Sequence, residues 1–292
     1  MTAFQDILIT DKINNSKSTL MNTKRKITSL YTAIALLIVL SGCNGSKNED
    51  AHHIKVGVSS GPEYALAEAA QKVAKQKYGL EVELVSFNDY VVPNEALNQG
   101  DIDINAFQHL PYLQEQSKQR GYNLAVVGKT FLYPIAAYSK KIKTLNELKP
   151  GSTIAIPNDP TNGGRSLLLL QKNGLITLKQ GIGLLPKVTD ITANPKNFKI
   201  VELEAPQLPR ILDDQEVTIA IINNTFSAQA GLVPSRDALF VEDTDSPYVN
   251  LIVSRENNKT QEKIKQFVEA YQSAEVEKAA EEQFKGGALK GW

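Results

Sequence analysis

The amino-acid sequence predicts an α/β fold of two lobes with a cleft between them. Short apolar runs alternate with amphipathic runs from about residue 54 to residue 292, and the alternation falls into two series of comparable length. Such alternation is typical of mainly parallel sheets, because parallel strands need helical crossovers. Neither series carries a phosphate-loop or dinucleotide-binding motif. Ligands of open α/β sheets bind beyond the carboxyl ends of the strands, so the cleft is the expected binding site.

The first series reads as strand, helix, strand, helix, strand. Alternating apolar residues predict a strand over residues 54–58, and residues 63–78 predict an amphipathic helix that ends at Gly79. LEVELVSF predicts a second strand, and PNEALNQG predicts a short helix that ends at Gly100. DIDINAF predicts a third strand that ends at Phe107. Together these elements form one α/β unit.

The second series begins near YPIAAY. It contains the strands STIAIP, FKIVEL and EVTIAII, helices through NDPTNGGRS and PQLPRILDD, and a short helix that ends at Gly231. SPYVNLIVSR predicts a late strand, and helices follow from about residue 260 to residue 284. We assign residues 54–132 together with residues 247–292 to lobe 1, and residues 133–246 to lobe 2.

The amino-terminal residues are predicted to lie outside the fold. Residues 21–42 contain a basic run and an apolar run too short to span a membrane, which predicts a signal peptide. The run ends in LSGC, which resembles the lipobox of bacterial lipoproteins, so Cys43 is the expected lipid attachment site. Residues 43–53 then form a polar tether, and residues 1–20 are expected to be an extension ahead of a natural start at Met21. The predicted location is the cell envelope, anchored by lipid and facing the periplasm or the exterior.

Composition argues against several other classes of protein. Lys plus Arg and Asp plus Glu both number 32, so the chain has no net charge to attract nucleic acid. One cysteine and three histidines form no metal-ligand cluster, so we expect neither a metal nor another cofactor. No G-x-S-x-G motif is present, and His109 has no recognisable nucleophile and acid around it, so no catalytic activity is expected.

Arg165 is the first candidate binding residue, because it follows the start of a predicted helix. Asp159 before Pro160 predicts an N-cap, with the following threonine as the alternative cap. A cation near a helix amino terminus is unfavourable without an anion, so we interpret Arg165 as the partner of a ligand carboxylate. Gly163 and Gly164 are interpreted as allowing the ligand close to the backbone. The alternative is a surface arginine paired with an acid such as Asp159. On the ligand interpretation, removing Arg165 leaves the unliganded protein as stable or slightly more stable.

Further candidates lie where predicted strands end. Asn223 and Asn224 follow an apolar strand, and Asn250 begins another, so their amides would accept from an ammonium and donate to a carboxylate. Each asparagine is alternatively a turn former. Aromatic residues at strand-to-helix junctions of the first series suit a pocket wall, with core packing as the alternative. These aromatic candidates are Tyr90, Phe107, His109 and Tyr112.

Long segments of the chain resemble the methionine-binding lipoproteins of the NlpA family. They include YGLEVELVSFNDYVVPNEALNQGDIDINAFQHLPYL, PNDPTNGGRSLLLLQKNGLI, LEAPQLPR, EDTDSPYVNLIVSR and GGALKGW, and the resemblance runs from the lipobox to Trp292. It implies a type II periplasmic-binding-protein fold, with mixed, mainly parallel sheets and a ligand cleft between the lobes. It also implies a monomeric substrate-binding component of a methionine ABC importer, whose partners are a permease and an ATPase.

The resemblance also implies which residues bind the ligand. Arg165 would hold its carboxylate, Asn223 and Asn250 its backbone, and Tyr90, Phe107 and His109 its side chain, with Tyr112 and Asn162 completing the set. INNTF departs from the family, which more often has a hydroxyl residue at position 224 and tyrosine at position 226. L-methionine is the expected ligand, and D-methionine or a derivative is an alternative. A relative that binds another small amino acid or a dipeptide, or a surface adhesin without a transport role, is the second interpretation.

Overall fold

The computed structural model describes residues 51–292. The predicted extension, the signal peptide, Cys43 and most of the predicted tether lie outside the described residues. Between residues 51 and 292, no helix is long and apolar enough to cross a lipid bilayer. The same part of the chain contains no group of three or more His, Cys, Asp or Glu side chains placed to hold a metal ion.

The first of two large sheets is built from both ends of the described chain. Its strands are β1 (His53–Ser59), β2 (Glu81–Phe87), β3 (Ile104–His109), β4 (Leu124–Leu132), β12 (Val249–Arg255) and β13 (Leu289–Lys290). They lie in the order β13-β4-β12-β3-β1-β2. Strands β2, β1 and β3 are parallel, because each pair is joined by a crossover helix, whereas β12 runs antiparallel to β3 and β4.

The second large sheet comes from the middle of the chain. Its strands are β5 (Ala136–Tyr138), β6 (Thr153–Pro157), β9 (Lys199–Leu203), β10 (Val217–Ile222) and β11 (Ala238–Val241). They lie in the order β11-β5-β10-β6-β9, with β10, β6 and β9 parallel and β5 antiparallel to both of its neighbours. Two short strands, β7 (Thr177–Leu178) and β8 (Ile191–Ala193), form a separate antiparallel pair.

Nine α-helices are found within residues 51–292. They are α1 (Pro62–Tyr78), α2 (Val92–Gln99), α3 (Leu110–Arg120), α4 (Pro160–Lys172), α5 (Leu208–Ile211), α6 (Asn224–Gln229), α7 (Pro234–Asp237), α8 (Glu262–Tyr271) and α9 (Ala274–Phe284). Three short 3-10 turns accompany them at Leu145–Glu147, Val188–Asp190 and Ala205–Gln207. Helices α1, α8 and α9 pack together, and their buried faces share one core with β1 and β3.

The predicted helix ends are confirmed where a glycine stops the helix. Gly79 and Gly100 follow α1 and α2 with φ of 66° and 86°, the left-handed conformation that glycine adopts without strain. Each donates its backbone N–H to a carbonyl of the preceding turn, which satisfies a group that the helix leaves unpaired. These stops direct the chain back into β2 and β3, and so they place the end of β3 beside the second sheet.

Several elements lie where the sequence pattern predicts none, notably α3 and β4. Only Tyr112, Leu113 and Gln116 of α3 are buried, so the helix lacks the broad apolar stripe by which amphipathic helices are recognised. Strand β4 is largely half-buried and pairs antiparallel with β12, which gives the first sheet a larger antiparallel share than the pattern predicts. Strand β3 runs to His109, two residues beyond its predicted end, because its pairing with β12 continues to Asn250.

The chain passes between the two sheets twice. The first passage, residues 133–135, joins β4 to β5, and the second passage, residues 242–248, joins β11 to β12. The passages are hydrogen bonded to each other, since Glu242 N donates to Ile135 O at 2.9 Å. The predicted lobe boundaries lie in these passages, and the division into two independently moving lobes remains a prediction.

Candidate functional site

A cavity lies between the two sheets, where the ends of several strands meet. The first sheet contributes the end of β3 and the loop after β2, and the second contributes the amino termini of α4 and α6. The cavity is narrow, with a volume of about 20 Å³ open to the centre of a water-sized sphere. Its lining residues are Tyr90, Phe107, Gln108, His109, Tyr112, Tyr133, Asn162, Arg165, Asn223, Asn224, Thr225 and Asn250.

All eight binding residues predicted from the sequence line this cavity. They converge from positions between 90 and 250, although no spacing in the sequence places them together. Asn224 was considered with Asn223, and it lines the cavity too.

Three residues that line the cavity were not predicted from the sequence: Gln108, Tyr133 and Thr225. Gln108 lies between two predicted residues on β3, so strand alternation argued against it, and Tyr133 carries no signal beyond its place between the two series.

One wall of the cavity is aromatic. The rings of Tyr90 and Phe107 have centroids 5.8 Å apart, and the ring of Tyr112 lies edge-on to both, at 6.1 and 6.0 Å. Tyr112 Oη donates to Tyr90 O at 2.8 Å, which ties α3 to the loop after β2. Phe226, which departs from the family pattern, packs its ring 4.9 Å from that of Tyr90. These contacts hold the rings in fixed positions, as a wall for an apolar side chain requires.

A buried amide network lies behind the aromatic wall. Asn94 Nδ2 donates to Gln108 Oε1 at 2.8 Å, and Gln108 Nε2 donates to the side-chain oxygens of Asn94 and Asn105 at 2.6 and 3.0 Å. Asn105 Nδ2 donates to Asn94 Oδ1 at 3.0 Å. The network ties α2 to β3. Because the amides satisfy one another in a buried place, they favour one position of β3 and of the cavity residues on it.

His109 joins the two sides of the cavity in a neutral form. Its Nδ1 accepts from Tyr112 N at 3.2 Å, so Nε2 carries the proton and donates to Asn162 Oδ1 at 3.2 Å. Burial and, to a smaller extent, the nearby charge of Arg165 lower the pKa of His109 to about 3. Asn162 Oδ1 also accepts from Asn223 Nδ2 at 2.9 Å. These bonds connect the end of β3 to α4 and to the start of α6.

Two amide oxygens at the cavity have unused acceptor capacity. Asn223 Oδ1 and Asn224 Oδ1 are buried, and within residues 51–292 neither has a hydrogen-bond partner. The amide nitrogens of both residues are engaged, because Asn223 Nδ2 donates to Asn162 and Asn224 Nδ2 donates to the carbonyl of Gly287. Asn250 Nδ2 is held by Phe107 O at 2.9 Å. The oxygens of Asn223 and Asn224 are therefore suited to accept hydrogen bonds from a ligand ammonium.

Arg165 also lines the cavity, and its ion-pair partner is Glu242. Nε donates to Glu242 Oε1 at 2.8 Å, Nη2 donates to Glu242 Oε2, and Nη2 also donates to Tyr133 O at 3.0 Å. The guanidinium carbon lies 4.2 Å from the centroid of the Tyr248 ring, a cation–π contact. Among the described residues, no acceptor reaches Nη1.

This geometry changes two expectations about the arginine. The alternative partner, Asp159, is instead the N-cap of α4, and its carboxylate accepts from the backbone N–H groups of Thr161 and Asn162 at 3.2 and 2.8 Å. The predicted cap is thereby confirmed. The ion pair argues against the expectation that the unliganded protein is as stable without Arg165, because removing the guanidinium leaves the largely buried Glu242 carboxylate without its partner.

The two glycines before Arg165 have a structural reason that differs from the predicted one. A Cβ on Gly163 would lie 2.8 Å from Pro157 O, and one on Gly164 would lie 2.9 Å from Leu184 O. Real Cβ atoms do not approach carbonyl oxygens this closely. Gly163 and Gly164 therefore allow α4 to pack against the end of β6 and against the loop at residues 184–186. Close approach of a ligand to bare backbone is not their explanation.

A polar and aromatic cavity buried between two α/β lobes defines the class of two-lobed solute-binding proteins. The sequence model of the NlpA lipoprotein family matches residues 54–292. The chain is 65% identical over 265 residues to the D-methionine-binding lipoprotein MetQ of Salmonella typhimurium, covering 90% of this chain and 97% of that protein. This chain belongs to the NlpA lipoprotein family, as the resemblance predicts.

Solved structures support the same fold. The crystal structure of the methionine-binding protein MetQ matches with a TM-score of 0.82 at 67% identity, covering 83% of this chain and 99% of that one. A nutrient-binding protein from Burkholderia cenocepacia, solved bound to methionine, matches with a TM-score of 0.80 at 49% identity, covering 82% of this chain and all of that one (100%). The predicted fold class is confirmed by these two-lobed neighbours.

Proposed function

We propose that this chain is a lipid-anchored solute-binding protein that captures methionine and delivers it to the permease and ATPase of an ABC transporter. Two relatives support this proposal, since one is a D-methionine-binding lipoprotein and another was solved bound to methionine. The observation that carries it is the arrangement of the cavity. A guanidinium N–H and two amide oxygens without partners share one small space with a wall of aromatic rings.

The polar groups fit the backbone of a free amino acid. Arg165 would donate from Nη1 to the ligand carboxylate, and the cavity excludes the water that would otherwise weaken this charge-assisted bond. Asn223 and Asn224 would accept from the ammonium through their free amide oxygens. Asn250 and Asn162 would hold the ligand backbone from either side of the cavity. A free amino acid would pair its carboxylate with the guanidinium and its ammonium with the amide oxygens at the same time.

The aromatic wall fits a thioether side chain. Tyr90, Phe107 and Tyr112 present ring faces and edges within a few ångströms of one another, and His109 adds a neutral ring beside them. A sulfur near the edge of an aromatic ring is stabilised by roughly 0.3–1.5 kcal/mol. A charged side chain would find no buried partner at this wall, so acidic and basic amino acids are disfavoured.

The proposed role is binding and release without a chemical step. Both ring nitrogens of His109 are committed to hydrogen bonds, and its pKa of about 3 does not suit a general base near neutral pH. The protein would act as a monomer that presents its cavity to the permease. Its tether would be fixed to the membrane by a lipid on Cys43, with the folded part facing the periplasm or the exterior.

Calorimetric titration of the unliganded protein with L-methionine tests the function. We expect binding of L-methionine, and D-methionine measured beside it decides the stereochemical preference. Arg165→Ala should weaken binding by about 2–4 kcal/mol, or roughly thirty- to a thousandfold, because a desolvated carboxylate loses its donor. Arg165→Lys should restore part of the affinity, since a point charge lacks the planar fork. Tighter binding of glycyl-methionine or of another small amino acid would favour the alternative ligand.

The lipid anchor is tested separately. Labelled palmitate should enter the wild-type chain in cells and should not enter Cys43→Ser. Labelling that persists in Cys43→Ser would contradict the predicted lipobox. Cys43→Ser should still bind L-methionine, because the residues that line the cavity all lie within residues 51–292.

A further inference from the structure

The guanidinium of Arg165 contacts both passages between the two sheets. Nη2 donates to Tyr133 O at 3.0 Å in the first passage, and Nε donates to Glu242 Oε1 at 2.8 Å in the second. The ring of Tyr248, at the other end of the second passage, stacks on the same guanidinium. One side chain, carried by α4, therefore joins the two segments about which the sheets would move relative to each other.

Glu242 determines where this guanidinium points. Its carboxylate accepts from Nε and Nη2 at once, the bidentate geometry that fixes the plane of an arginine. The Arg165 side chain is buried and that of Glu242 is mostly buried, at 3% and 13% exposed, so water competes only weakly for these bonds. With two nitrogens fixed in this way, Nη1 is the nitrogen left for the cavity. Glu242 itself does not line the cavity.

We propose that Glu242 is a positioning residue: it holds Arg165 across both passages so that the ligand carboxylate is bound in the closed arrangement of the lobes. This inference rests on the proposed function, because it concerns the same carboxylate contact. The inference adds Glu242, which does not touch the ligand, to the residues on which binding depends. It also explains why this acid lies in the second passage. Binding of the ligand carboxylate and the geometry of the two passages are then linked through the Arg165 guanidinium.

A purely electrostatic role for Glu242 makes the opposite prediction. A carboxylate beside Arg165 repels the ligand carboxylate, so removing its charge would strengthen binding. A positioning role predicts weaker binding, because the guanidinium would turn out of line. Glu242→Asp separates the two effects, since aspartate keeps the charge and shortens the side chain by one methylene. Positioning predicts weaker binding in both Glu242→Gln and Glu242→Asp, whereas the electrostatic role predicts tighter binding in the first and no change in the second.

The experiment is a double-mutant cycle measured by calorimetry on the full chain in detergent, with L-methionine as the probe. We expect Glu242→Gln and Glu242→Asp each to weaken binding by about tenfold. In the Arg165→Ala background, Glu242→Gln should change the affinity less than about twofold, because its effect passes through Arg165. Asp243→Asn is the matched control, since Asp243 is the neighbouring acid, is exposed, and pairs with Lys172 at the surface.

Each outcome decides the inference. Unchanged or tighter binding in Glu242→Gln would overturn it, as would an equal loss of affinity with and without Arg165, which would indicate a general effect on folding. A loss of the same size in Asp243→Asn would also overturn it, because any acid in this segment would then suffice. If the wild-type chain does not bind L-methionine, the proposed function fails and this inference fails with it. If the wild-type chain and the Glu242 variants bind L-methionine equally well, the proposed function stands and this inference alone is wrong.

Discussion

Arg165 and Glu242 form a pair that should matter for stability as well as for binding. Both side chains are largely buried, and breaking such a pair from one side leaves an uncompensated charge in a place of low polarity. We expect Arg165→Ala to lower the free energy of unfolding of the ligand-free protein by about 3 kcal/mol. Urea denaturation after removal of bound ligand measures this. Arg165→Ala combined with Glu242→Gln should recover much of the loss, and equal stability of Arg165→Ala and wild type would contradict the prediction.

A second buried acid, Glu63, connects the two sides of the molecule. It lies in the first turn of α1, is 2% exposed, and accepts a hydrogen bond from Thr225 Oγ1 of α6. Burial raises the pKa of Glu63 to about 7, although the hydrogen bond from Thr225 acts in the other direction. Burial raises the pKa of three nearby tyrosines above the ordinary value, and the charge of Glu63 acts in the same direction. These are Tyr90, Tyr133 and Tyr271.

Glu63 should make stability fall as pH rises. The folded protein keeps the proton on Glu63 up to about pH 7, whereas the unfolded chain loses it near pH 4.5. The folded state therefore binds more protons in this window, and the contribution of Glu63 to the free energy of unfolding declines by at most about 3 kcal/mol from pH 4.5 to pH 7. We expect Glu63→Gln, which cannot ionise and still accepts from Thr225, to match or exceed wild-type stability at pH 8.

The contribution of His109 to stability has the opposite pH dependence, so it must be distinguished from the contribution of Glu63. Its folded-state pKa of about 3 lies below the ordinary 6.5, so its contribution to stability is complete above pH 6.5 and is lost as pH falls toward 3. The two contributions oppose each other between pH 4.5 and pH 6.5. The measurement is therefore the difference between the wild-type and Glu63→Gln unfolding free energies across pH 5 to 8. A flat difference would show that Glu63 is ionised throughout.

At the scale of elements, the amino terminus of α4 is packed too closely to accept a side chain at Gly164. Its added Cβ would meet the Leu184 carbonyl oxygen at 2.9 Å and the Leu185 Cα at 3.1 Å, so the loop at residues 184–186 would have to move. Overpacking of this kind costs about 1–3 kcal/mol, which outweighs the gain of about 1 kcal/mol from placing alanine in a helix. We expect Gly164→Ala to be destabilised by about 1 kcal/mol in urea denaturation. A stabilised variant would show that the loop yields freely.

Helix α6 is one of the elements that connect the two sides of the molecule. Thr225 donates to Glu63, Gln229 Nε2 donates to Ser60 O at 2.8 Å, and Asn224 donates to Gly287 O. The residue just before this helix, Asn223, carries one of the free amide oxygens of the cavity. The same short segment therefore offers a group to the ligand and holds the lobes together.

For the whole molecule, ligand binding and stability should be linked. The cavity residues come from both sheets and are mostly buried, so a ligand that fills the site contacts both lobes at once. A ligand that binds only the folded protein stabilises it by about 2.7 kcal/mol at one hundred times its Kd. For a domain of this size that is a rise in Tm of roughly 5–10 °C. We expect this rise with L-methionine in protein refolded without ligand.

The controls for this measurement are L-glutamate and L-lysine, whose side-chain charges the aromatic wall cannot pair. Neither should raise the Tm appreciably at the same concentration. Equal shifts with all three amino acids would refute an apolar pocket. Arg165→Ala should show a much smaller shift with L-methionine, because the carboxylate contact is lost.

Local chemistry explains which parts of the fold the sequence predicts well. Helix α1 is marked by its apolar face and by Gly79, and α4 is marked by Asp159 and Pro160, because caps and periodicity act within a few residues. Helix α3 and strand β4 were missed, since neither shows a strong pattern and both are stabilised by the strands and helices they pack against. The candidate site was found through residues at strand ends and through resemblance to a family.

The amino-acid sequence alone predicts the order of the main helices and strands, the cap of α4, and eight of the residues that line the cavity. Only the tertiary structure decided that Arg165 pairs with Glu242, 77 positions further along the chain. It also decided that Gly163 and Gly164 make room for protein backbone. The physical reason is range, because caps and periodicity depend on neighbours within a turn, whereas these contacts depend on how the two passages set one sheet against the other.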